Sequence, residues 1–201
     1  MARPQSSPAA PDVPERLLER YVNGDGEAFE TLVGLYEERL FIFIARMTGD
    51  NHLAEDVFQQ TFIKVAQKAE LFDGRASFST WLYRIARNAA LDELRKRRRE
   101  HTLSDADAAG MASVADANAV SPLDKLTRDE LAERVRSALT RLPEAQREAF
   151  LLKEEAELTF EEIGQVLGCG RETAKSRFRL AVGRIRELLG LERGKGKGET
   201  A

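Results

Sequence analysis

Apolar residues recur along the chain at intervals of three and four, and no segment alternates with a period of two, so the pattern reads as all-α. Phe29, Leu32, Val33, Tyr36, Leu40 and Phe43 form one stripe and predict a helix over residues 27–47, with Gly49 placed for a left-handed cap. Leu53, Val57, Phe58, Thr61, Phe62 and Val65 predict a second helix over 53–68. A turn over 72–75 follows. Ser77 is suited to cap a third helix running to residue 99, with Phe78, Trp81, Leu82, Ile85, Ala89 and Leu94 inward. A short helix over 14–22 completes a first domain, residues 12–99. Residues 100–126 are rich in Ala, Asp and Ser and hold no aromatic residue, the composition of a linker. Helices over 127–141, 143–155, 160–167 and 171–189 make a second domain, 127–189, with Pro143 in the first turn of its helix. Residues 1–11 and 190–201 read as flexible tails. The expected architecture is two small helical domains joined by a flexible linker.

Composition narrows the class. At 201 residues and 42% hydrophobic, the chain can bury the cores of two small domains. The longest apolar run, residues 40–45, is far short of the about 20 residues a membrane span needs. The first residues lack the apolar stretch of a secretory signal. A single cysteine, Cys169, excludes an intramolecular disulfide, and with only His52 and His101 beside it a structural zinc site is not expected. A cytoplasmic protein without cofactor or metal is the expectation.

The net charge of -3 conceals a division. Residues 84–100 hold seven basic and three acidic side chains, and residues 171–186 hold six basic and one acidic. Between them, residues 144–162 hold seven acidic and two basic. Two basic surfaces, one per domain, are the electrostatic footprint of a chain that touches nucleic acid at two places.

Three segments carry the candidate chemistry. In residues 158–177, Thr159 with Glu162 spells a capping box, Gly168-Cys169-Gly170 a tight turn, and Arg171 opens a longer helix. That is helix-turn-helix spacing. The second helix presents Arg171, Glu172, Thr173, Lys175, Ser176, Arg177 and Arg179 near its start, where such helices meet base edges and phosphates. In residues 78–99 one helix carries Trp81, Tyr83, Arg84, Arg87, Asn88 and Asp92 and then a basic run from Arg95 and Lys96. Basic residues hold phosphates and aromatics stack on unpaired bases, although a basic helix end is also an ordinary solvated terminus. In residues 54–62, Glu55, Asp56, Gln59 and Gln60 form an outward polar face on an otherwise ordinary amphipathic helix. There is no phosphate-binding glycine loop ending in Gly-Lys-Ser/Thr and no His-Glu-x-x-His, so no enzyme activity is expected.

Taken in order, these three segments resemble the bacterial sigma factors of RNA polymerase: the sigma-70 family, extracytoplasmic-function (ECF) group. The resemblance spans residues 17–189. It implies that residues 54–65 dock on the clamp helices of the polymerase largest subunit through Glu55, Asp56, Gln59 and Gln60. It implies that residues 78–99 recognise and melt the downstream promoter element through Trp81, Tyr83, Arg84, Arg87, Asn88, Asp92, Arg95 and Lys96. It implies that the second domain reads the upstream element and meets the polymerase flap. Promoter DNA and core RNA polymerase are the implied partners, and an anti-sigma factor a further one. Gln60 stands where the family often has Glu, and Ala174 where it more often has Val. Cys169 occupies a turn position that is usually apolar and reads as a small hydrophobe. Two rivals remain at this stage: a free-standing helix-turn-helix regulator, and a helical adaptor that binds only protein. The adaptor leaves the basic clusters without a purpose.

Overall fold

A computed structural model describes residues 13–104 and 128–191. Among these residues there are eight α-helices and no strand. They are α1 (Pro14–Val22), α2 (Gly26–Thr48), α3 (Asn51–Lys68), α4 (Phe78–Ser104), α5 (Arg128–Thr140), α6 (Glu144–Glu154), α7 (Phe160–Leu167) and α8 (Arg171–Leu188). The predicted tail 1–11, most of the linker 100–126 and most of the tail 190–201 lie outside the described residues. No described helix is long and apolar enough to cross a membrane.

Local chemistry sets the helix ends. Asp25 accepts a hydrogen bond from the Ala28 amide and caps α2, and Gly49 closes that helix at φ +73°. Asp50 caps α3 through the Leu53 amide, and its other oxygen takes Arg97 of α4 at 2.6 Å, a bond that holds the Asp50 carboxyl below its ordinary value. Ser77 caps α4 as expected, accepting from the Thr80 amide. Glu15 of α1 adds a second acceptor for the same turn, taking the Phe78 amide at 2.8 Å. Pro143 sits one place earlier than expected, at the cap of α6, where its carbonyl accepts from Gln146 and Arg147. α4 runs past residue 99 to Ser104, because nothing in residues 100–104 breaks a helix.

The first four helices form one bundle, with α2, α3 and α4 mutually packed and α1 across α2. Tyr21, Phe29, Phe62, Phe58 and Phe41 make a chain of ring contacts with centroids 4.5–6.2 Å apart along the α2–α3 seam. The second bundle packs α8 on α5, α6 and α7. Phe178 lies between Phe150 and Phe160, all three partly buried against the core. The two bundles meet: α7 rests on α4, and α6 on α2.

Candidate nucleic-acid and polymerase interfaces

The helix-turn-helix is built as its sequence implies. The Thr159 hydroxyl accepts from the Glu162 amide while the Glu162 carboxylate accepts from the Thr159 amide at 2.9 Å, a complete capping box. Gly168 ends α7 at φ +66°. Gly164, which the sequence pattern does not single out, is the tightest point. A Cβ there would stand 2.6 Å from the Cys169 carbonyl oxygen, so the turn is folded directly against this residue. The signal available was its place on the inward face of α7, between Ile163 and Val166. Cys169 is half-buried against the core, and Arg177 donates to its sulfur at 3.7 Å.

On α8, Ala174, Ala181 and Ile185 face inward. Arg171, Glu172, Thr173, Ser176 and Arg179 are exposed, and Lys175 and Arg177 are half-buried beside them. Arg171 pairs with Glu161 at 2.7 Å and lies 3.8 Å from Glu172, so a base or phosphate would compete with exposed carboxylates.

α4 presents Arg84, Asn88, Asp92, Arg95 and Lys96 to solvent. The Asp92 carboxylate lies 3.4 Å from Arg95, and Asn88 accepts weakly from Arg87 at 3.5 Å. Three other residues assigned to this face sit differently. Tyr83 is 1% exposed, edge-on to Phe43 at 5.1 Å, and burial drives its hydroxyl well above the usual tyrosine range. It lies in the core, because α4 is covered by α2, α3 and α7 and buries more than one stripe. Trp81 is 9% exposed between Phe72 and Phe78, and one edge borders a surface cavity of about 500 Å³ shared with Asp73, Arg75 and Arg84. Arg87 turns away from Asn88's neighbours and grips Glu148 of α6 with two nitrogens, at 2.9 and 3.1 Å.

On α3, Glu55, Asp56 and Gln59 are exposed, and Gln60 reaches Glu93 of α4 at 3.4 Å. Ile63, one turn beyond Gln59, is 55% exposed and adds an apolar contact to this face that the inward-stripe reading passed over. Among the described residues no three His, Cys, Asp or Glu side chains gather as a metal site.

A helical bundle with an exposed polar face and a basic helix, joined to a helix-turn-helix bundle, defines a DNA-binding protein of transcription. Sigma-70 region 2 matches residues 32–100, and Sigma-70, region 4 matches residues 132–185. The chain belongs to the sigma-70 family, and within it to the ECF sigma factors, and it serves promoter-specific transcription initiation with RNA polymerase. It is 33% identical to the ECF RNA polymerase sigma factor SigW of Bacillus subtilis over 180 residues, covering 87% of this chain and 96% of SigW. It is 36% identical to the RNA polymerase sigma-H factor of Pseudomonas aeruginosa over 168 residues, covering 82% and 87%. Its structure is similar to that of the sigma factor RpoE of Bartonella quintana, solved with the anti-sigma factor NepR. The TM-score is 0.66 and the identity 30%, covering 82% of this chain and 98% of that one. The rival reading as a free-standing regulator is not favoured.

Proposed function

We propose a division of the work between two domains, residues 12–99 and 127–189. The polar face of α3, with Glu55, Asp56, Gln59 and Gln60, docks on the clamp helices of core RNA polymerase. α4 then takes the opened strand of the downstream element. Asn88 and Asp92, four residues apart, share one helix face and read an unstacked base. Arg84, Arg87, Arg95 and Lys96 hold the strand's phosphates. Trp81 borders the cavity where a base would enter, and Tyr83 supports α4 from the core side. α8 reads the upstream duplex from the major groove through Arg171, Thr173, Lys175, Ser176, Arg177 and Arg179, with Glu172 at the same end, while the second domain rests on the polymerase flap.

The observation that carries this reading is the basic, largely exposed start of α8, set against α7 by the tight turn that closes on Gly164. Duplex reading needs a rigid helix in a groove, and strand opening needs amides and aromatics that reward a base for leaving its stack. An anti-sigma factor is a fitting regulator, as for the RpoE relative, and the cytoplasm is the fitting compartment. The chain supplies no catalytic group; the polymerase does the chemistry. The test is RNA synthesis by purified core polymerase on a promoter library, with and without this chain. Chain-dependent initiation at a defined sequence class is expected. Unchanged initiation, together with tight operator binding by the free chain, would overturn the reading.

A further inference from the structure

The cations at the start of α8 are of two kinds. Among the described residues, Lys175 and Arg179 have no carboxylate partner, and Arg177 donates to the Cys169 sulfur. Arg171 differs, because it stands between two carboxylates. Its Nε lies 2.7 Å from Glu161 of α7, and its NH1 lies 3.8 Å from Glu172, too far for a hydrogen bond. The turn brings this pair together: Glu161 is the second residue of α7, Arg171 the first of α8, and the chain between them folds back on Gly164. An acid in the first turn of α7 also suits the helix dipole, but that role does not require it to reach across to α8.

Glu161 and Arg171 are both more than half exposed, so in the free chain their pair is screened and adds little stability. Its effect grows when α8 enters a groove, where water is excluded and charges interact more strongly. A phosphate brought to Arg171 there meets two carboxylates of its own sign. A guanine edge offers paired acceptors without a net charge, so the same carboxylates oppose it far less. A carboxylate against the Nε side also fixes the plane of the guanidinium, and a two-point contact depends on that plane.

We propose that Glu161 is a positioning residue for promoter reading. It orients the Arg171 guanidinium and denies it to phosphate, which dedicates Arg171 to a base edge with paired acceptors. Lys175 and Arg179, without such partners, are left to meet phosphates. This role rests on the function proposed above, in which α8 enters the major groove of the upstream element.

The experiment compares wild type, Glu161→Gln, Arg171→Ala and the double variant, each assembled with core polymerase, on a promoter library randomised in the upstream element. Affinities are taken at two salt concentrations. Arg171→Ala identifies the base position that this side chain reads. Glu161→Gln should lower selectivity at that same position by about fivefold or more, the lower end of what a paired contact supplies, and leave the other positions unchanged. Its affinity for unpreferred sequences should rise, with a salt dependence steeper by about one phosphate contact. The double variant should match Arg171→Ala in its preferences. Unchanged selectivity of Glu161→Gln at the position that Arg171→Ala affects overturns the positioning role. So does a loss spread evenly over all positions, the mark of a loosened turn, which a melt by circular dichroism would also show. A change that Glu161→Gln still produces when Arg171 is alanine overturns it as well. If Arg171→Ala itself alters no base preference, the base reading assigned to this residue fails, and the positioning role falls with it.

Discussion

Gly164→Ala isolates the geometry on which duplex reading depends. The new Cβ would stand 2.6 Å from the Cys169 carbonyl oxygen and 3.5 Å from the Arg171 amide nitrogen. An ordinary carbon–oxygen approach is about 3.3–3.6 Å, so the turn must give by roughly 0.7–1.0 Å. The obstructing atom is backbone, and the Cys169 amide is itself bonded back to the Gly164 carbonyl at 2.9 Å, so no side chain can rotate out of the way. Overpacking of this kind costs about 1–3 kcal/mol, and the upper half of that range applies to an unyielding backbone. Alanine returns about 0.8–1 kcal/mol of helix propensity. The net loss is about 1–2 kcal/mol, which lowers the melting temperature by roughly 2–8 °C in a chain of this size. Gly34→Ala is the control. It lies mid-α2, is exposed, and has no heavy atom within 4 Å of a new Cβ, so it should gain about 0.8–1 kcal/mol. Thermal melts of both variants by circular dichroism make the comparison. Equal stabilisation at the two sites would refute the close contact and the helix-turn-helix geometry built on it.

Asp56→Arg should weaken assembly with core polymerase while changing stability by no more than about 0.5 kcal/mol, since the residue is exposed; fluorescence titration against core and a melt check both halves. Arg171→Ala or Arg177→Ala should lose about 1–3 kcal/mol on the preferred upstream element and relax one base position, whereas Arg184→Ala, further along α8, should weaken binding evenly across a promoter library. Burial opposes the charged form of Glu162, but hydrogen bonds from Ser77, Thr159 and Thr80 outweigh it and hold the carboxyl below its ordinary value. A depressed carboxylate stabilises the fold above its unfolded pKa of about 4.3, and this is lost as pH falls through the lower folded value. Wild type should therefore lose its advantage over Glu162→Gln in urea melts on acidification below about pH 4, and a pH-independent difference would contradict the network.

Much of the fold is legible in the sequence because each helix buries one stripe and carries its own end signals. Thr159 with Glu162 and Gly49 behave as their residue types require. Where the reading fell short, a second element intervened. Tyr83 follows no single stripe, because α4 is packed on three sides, and periodicity cannot reveal a third neighbour. Arg87 reads as a phosphate contact until Glu148, 61 positions away, is placed beside it. Pairs between remote surface charges leave no local pattern, and neither does a glycine whose need is steric rather than conformational.

The claim that one chain reads duplex with α8 and opened strand with α4 is tested most directly on a single promoter. Upstream protection and permanganate reactivity of unpaired thymines should be recorded together for wild-type, Asn88→Ala and Arg171→Ala holoenzymes. Asn88→Ala should lose permanganate reactivity while upstream protection persists, and Arg171→Ala should lose both. If Asn88→Ala loses both signals in parallel, or Arg171→Ala loses neither, the two helices do not divide the work in this way.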